Sequence, residues 1–145
     1  MAKPNPEIVA VTWIKHVTGL ANSVNTTLPK DNTTWAASGF IQVVVVGGSP
    51  NIDVPMRQPI YQIDCWATNP SSNKPPWGKA SSLAEMILDN CYERRDKVSS
   101  LALPSPYTPV RIHSVYASIE PRRIPNDPAS FARIQLELTM HWVAL

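Results

Sequence analysis

The strongest constraint in this chain is its last stretch, Phe131 to Ala144, where the alternation of apolar and polar residues is the clearest in the chain. A period of two puts Ala132, Ile134, Leu136, Leu138, Met140 and Trp142 on one face of a strand. Phe131, Arg133, Gln135, Glu137, Thr139 and His141 fall on the other. A one-residue slip would exchange the two sets, so a strand of this kind fixes its own register against a core on one side. At the usual rise it spans about 47 Å, well beyond the common strand length, so it is expected to reach past the body of the domain or to carry a bulge.

The rest of the chain supplies what that strand packs against. Asn5-Pro6-Glu7 reads as a helix start, because Asn5 can accept a backbone N–H, Pro6 suits the first helical position and Glu7 favours the positive helix end. The helix is expected to run to about Ser23, with Ala10, Trp13, Ile14, Val17, Leu20, Ala21 and Val24 on its apolar stripe. Residues 25–39 read as loop. Phe40–Val46 is dense in β-branched residues and stops at Gly47-Gly48, which predicts a strand. After a long connection, Ile60–Ala67 alternates again, with Tyr61, Ile63, Cys65 and Ala67 inward. A polar loop leads to a second helix over 79–96, whose inner stripe is Ala80, Leu83, Ala84, Ile87 and Cys91. Val110–Ile119 is a third strand, and 120–130 (EPRRIPNDPAS) a turn region. The element order is thus α-β-β-α-β-β over residues 1–145 as one domain, an α+β architecture with a mainly antiparallel sheet packed against helices.

Composition narrows the function. A chain of 145 residues buries roughly 70% of its unfolded surface, enough for a core without metals or disulfides. Charged residues make up only 17%, below the usual ~25%, which suits a subunit whose faces neighbours cover. Net charge is +2, and the basic residues are scattered, so nothing demands nucleic acid. No secretory leader and no ~20-residue apolar run is visible, so no membrane partner is expected and the protein is expected in the cytosol. Cys65 and Cys91 lack further ligands at zinc spacing and read as buried thiols that are expected to meet where helix covers sheet.

No catalytic constellation emerges. His16, His113 and His141 show no metal-ligand spacing, although a hairpin could bring His113 near Glu137. Neither a GxSxG elbow nor a phosphate loop is present, since Gly47-Gly48-Ser49-Pro50 lacks the lysine and spaced glycines such loops need. The chain is therefore read as no enzyme, with no cofactor. The informative surface candidates are aromatic and cationic. Trp13 and Trp142 lie on core stripes, whereas Trp35 and Trp77 fall in loops and Trp66 on the non-core face of its strand. Interface cores are enriched in such residues, and Arg122, Arg123, Arg133 and Glu137 add charges that set register, so these seven residues are the candidate protein interface.

The ordered set of an N-terminal helix, the strand PIYQIDCWA running into ASSLAEMILDNCYE, a proline-rich passage, VRIHSVYASIEPRRIPND and the closing FARIQLELTMHWVAL resembles the tail terminator proteins of long-tailed bacteriophages. The resemblance spans nearly the whole chain. It implies a homo-oligomeric ring, usually of six copies, that caps the tail tube, with the major tail tube protein and head-completion or neck proteins as partners. DNA would meet it only in passing through the lumen. Another neck or minor tail subunit, or a small nucleic-acid-binding α+β module, are the alternative readings.

Overall fold

The computed structural model describes residues 2–72, 74–93, 100–125 and 130–145. Helix α1 (Pro6–Thr18) is followed by β1 (Val24–Asn25), a 3-10 turn (Asn32–Thr34), β2 (Phe40–Gly48), β3 (Met56–Arg57) and β4 (Pro59–Thr68). Helix α2 (Trp77–Asn90), β5 (Ser100–Leu101), β6 (Val110–Arg123) and β7 (Phe131–Ala144) complete it. Seven strands form one sheet in the order β1-β2-β4-β7-β6-β5, with β3 also paired to β7. All pairings are antiparallel except β1 with β2, so the α+β class expected from the sequence is the one observed.

Strand β7 has the bounds and the inward face that its alternation predicts. Ala132, Leu136, Leu138 and Met140 are fully buried, with Trp142 and Ile134 nearly so. Its length is used differently from the expectation. It does not project beyond the domain, because β4 covers Phe131–Thr139 and β3 covers Trp142–Val143 on one side while β6 runs along the other. A fourteen-residue strand is matched by two neighbours in line, β3 and β4, separated only by Gln58. The bulges fall in its partner: β6 shifts register between Ile112 and Ser114, between Ala117 and Ile119, and between Ile119 and Arg122. Both edges of β7 are taken, so it offers no edge to another chain.

Both helices lie on the core side of the sheet, where Val9, Ala10, Trp13 and Ile14 of α1 and Ala80, Leu83, Ala84 and Ile87 of α2 join the inward residues of β2, β4, β6 and β7. Asn5 caps α1 by accepting from the Ile8 N–H at 2.9 Å. The helix ends at Thr18, earlier than Ser23, because Gly19 takes the left-handed conformation (φ 73°) and its N–H returns to the Lys15 carbonyl at 2.9 Å. Val24 therefore leaves the helix stripe and is buried in β1, opposite Ile41. Helix α2 begins at Trp77 and ends at Asn90; positions 94–96 of the expected helix lie outside the described residues. The Tyr61 hydroxyl donates to the Pro6 carbonyl at 2.7 Å and ties the start of α1 to the middle of the sheet. Burial pushes the Tyr61 phenol far above its ordinary pKa, so it remains a donor at any physiological pH.

The turn out of β2 depends on one glycine. At Gly48 φ is +97°, and a Cβ there would sit 2.3 Å from the Gln58 carbonyl oxygen, a backbone atom that cannot swing away. Gly47, just before it, has open space around its would-be Cβ. Gly48→Ala is expected to cost at least ~1–3 kcal/mol, while Gly47→Ala leaves the denaturation midpoint within about 1 kcal/mol of wild type; equal midpoints in chemical denaturation would contradict this turn.

Leu136→Asp puts a carboxylate into the core without a partner and is expected to abolish cooperative unfolding. Gln135, one residue away, is not the neutral control that its outward position suggests, because its amide donates to the Asp64 carboxylate at 3.0 Å. Gln135→Asp would place two carboxylates side by side and should cost about 1–3 kcal/mol, with Glu137→Gln the benign comparison in the same thermal melts.

Candidate interaction surface

The sheet face turned away from the helices carries most of the chemistry that the core does not use. Registry aligns Gln42 of β2 with Asp64 of β4, Asp64 with Gln135 of β7, and Gln135 with Arg122 of β6, making one polar row across four strands. From Arg122 to Asp64 the row is hydrogen-bonded. Arg122 Nη2 donates to Gln135 Oε1 at 2.8 Å, Gln135 Nε2 donates to Asp64 Oδ1 at 3.0 Å, and Gln62 Nε2 donates to Asp64 Oδ2 at 3.2 Å. Asp64 is only 3% exposed. A buried carboxylate is costly unless hydrogen-bonded, and here two amides supply the donors while the arginine charge arrives through one of them. Further down the same face Thr139 donates to Ser118 at 3.0 Å, and Tyr116 meets His141 edge-on at 6.0 Å.

An aromatic cluster closes the upper end of this face. Trp35 packs on Phe40 and Phe131 with ring centroids 6.0 Å apart in each pair, and Phe131 meets Trp66 edge-on at 6.0 Å. Trp66 Nε1 donates to Gln42 Oε1 at 3.2 Å, joining the cluster to the polar row, and the Arg133 guanidinium lies 4.9 Å over the Trp66 ring. The loop bearing Trp35 is held by its own 3-10 turn, capped by Asp31, and by Lys79 of α2, whose ammonium is taken up by the Ala36 and Ala37 carbonyls.

The seven candidate residues therefore divide. Trp35, expected as an exposed loop residue, is 2% exposed and belongs to a satellite core, because the short turn folds its ring back onto the sheet. Trp66 is half-buried and capped by Arg133. Trp77 is not in a loop but opens α2, where Arg123 stacks over its ring at 4.8 Å. Arg122 and Arg123 are not in a turn either, since β6 extends four residues past Ile119. As neighbours in a strand they point to opposite faces, Arg122 to the polar row and Arg123 to the helix side. Glu137 is half-buried on the open face, opposite Gln62 and Ile119. The expected approach of His113 to Glu137 does not occur, because Ser114 pairs with His141 and His113 sits in a bulge. The Asp64–Gln135–Arg122 relay escaped sequence reading; its only signal was polar side chains at every second position of separate strands.

The cysteines carry no nucleophile. Both are buried, and desolvation, with the Asp64 charge adding to it, pushes the Cys65 thiol far above its usual pKa. Among the described residues no three His, Cys, Asp or Glu side chains gather to hold a metal ion. No helix among them is long and apolar enough to cross a membrane.

The geometry separates the tryptophans by experiment. Trp35→Ala should lower stability by about 3–5 kcal/mol, the usual cost of emptying a buried aromatic site. Trp77→Ala should cost less, because its ring is only half-buried, packed at the edge of the core with the Arg123 guanidinium over it. Comparable losses in urea titrations would contradict this division.

No family model matches the sequence, and no curated protein matches it. The fold is shared with a solved chain from the virion of a native gene transfer agent particle, at a TM-score of 0.55 and 11% identity, covering 95% of this chain and 98% of that one. Another solved chain aligns over 90% of this chain and 86% of its own length at 15% identity, but its TM-score of 0.42 is too low to support a common fold.

Proposed function

We propose that this chain is a structural protein of a virion and works as a tail terminator: a homo-oligomeric ring, six copies in the family it resembles, that caps the tail tube, ends its polymerisation and offers the surface to which the head is joined. The observation that carries this reading is the fold shared end to end with a chain of a gene transfer agent virion, which agrees with the sequence resemblance to tail terminators. On this reading the chain has no catalytic task and takes no cofactor. It is made in the host cytoplasm and ends in the neck of the particle. Its partners are its own copies, the major tail tube protein and head-completion or neck proteins, while DNA passes through the ring without being held.

The surface chemistry supports an assembly role. The face away from the helices has a bonded amide and carboxylate row and exposed apolar side chains at Tyr116 (48%) and Ile119 (41%). A mixed face of this kind is what interfaces use, with aromatic and aliphatic anchors set among satisfied polar groups. A place elsewhere in the neck or among minor tail subunits is the second reading, favoured by the same shared virion fold.

Deleting the gene from the genome that carries it should yield filled heads and separate tails that fail to join, with some tubes abnormally long, as seen by electron microscopy of lysates. Tails of normal length joined to heads would refute the terminator role. Joined particles with a damaged tail tip would favour the minor tail reading.

A further inference from the structure

Two surface patches on different elements of the molecule are complementary. The first is a cleft of about 260 Å3 where β3 and the end of β7 meet the N-terminal segment and the loop before β3. Its lining combines apolar Pro4, Val54, Met56 and Trp142 with two cations, Lys3 and Arg57, and includes no acidic residue. Both cations are exposed, and the Arg57 guanidinium is held 5.4 Å over the Trp142 ring, which fixes its direction. The cleft therefore fits an apolar side chain flanked by carboxylates.

The second patch has that chemistry. On the outer side of α2, Glu85 and Asp89 lie one turn apart, with Met86 beside them at 38% exposure. Both acids are exposed, and neither has a partner among the described residues. The cation of this helix, Lys79, is engaged by the Ala36 and Ala37 carbonyls and does not neutralise them.

We infer that the Lys3–Arg57 cleft of one copy receives Met86, with Glu85 and Asp89, from the α2 of a second copy. Cleft and stripe are different surfaces of the same chain, so with one such contact to each neighbour the arrangement is head-to-tail, and repeated it closes a ring or runs into a filament. The inference rests on the ring proposed above and names the surfaces that would build it. Rim charges of this type set orientation and suppress wrong pairings more than they add affinity, and Met86 supplies the apolar anchor.

The test uses assembled particles and a zero-length carbodiimide, which joins a lysine amine to a carboxylate only when they touch. Covalent dimers of this chain should map to Lys3 linked with Glu85 or Asp89. Arg57→Glu, which leaves Lys3 reactive, should cut that dimer about tenfold through like-charge repulsion. Adding Glu85→Arg to the same protein should restore it, since every contact then regains one charge of each sign while Asp89 remains to react. Dimers joined through other residues, Lys3 joined to a different protein, no covalent dimer, or no rescue would each overturn the inference. Absence of the protein from particles would instead overturn the virion reading, whereas its presence with dimers mapped elsewhere would leave that reading intact.

Discussion

The double pairing of β7 is the constraint on which the remaining structure depends. One strand of fourteen residues holds β4 and β3 along one edge and β6 along the other, and its inward side chains form the middle of the core. Sheet register is set by which face must be dry. With six apolar residues of β7 on one side, β4 and β6 have a single alignment that keeps Ile63, Cys65, Val115 and Ile112 dry as well. The helices then complete a layer whose position is already determined, with α1 anchored at its first turn by the Tyr61 hydroxyl.

The same registry determines the opposite face. Alternation that sends Leu136 inward sends Gln135 outward, and pairing sets it between Asp64 and Arg122. The polar row is thus a consequence of the core, formed because dry positions on three strands line up their wet neighbours. It leaves a sheet face without a helical layer, on which the buried Asp64 carboxylate is satisfied within the chain, so a partner can cover that part of the face without stranding the Asp64 charge.

Much of this was legible in the sequence. The bounds and faces of β7, the inward face of β4, the Asn5 cap and the stripe of α2 all follow from period and capping chemistry, which are local. What was not legible depends on contacts distant along the chain. Trp35 sits in a stretch whose composition reads as loop, and its burial comes from Phe40 and Phe131, one of them nearly a hundred positions away. Arg122 and Arg123 follow Pro121, which suggests a turn, yet an edge strand tolerates a proline there. Val24 continues the helical period by coincidence after Gly19 has ended the helix. The relay through Asp64 needs three strands in register, and no single segment encodes it.

The distribution of irregularity between β6 and β7 has a consequence for how such a chain can change over generations. Three register shifts lie between these strands, all recorded where β6 gains residues relative to its partner, while β7 stays continuous against β4. A strand that already carries extra residues, and has one neighbour along most of its described length, can gain or lose one more by enlarging or erasing a bulge. In β7 the same insertion would turn every following side chain over against two neighbours at once. Length variation among relatives should therefore collect in β6 and its turns, leaving the final strand as the fixed ruler against which the others are measured.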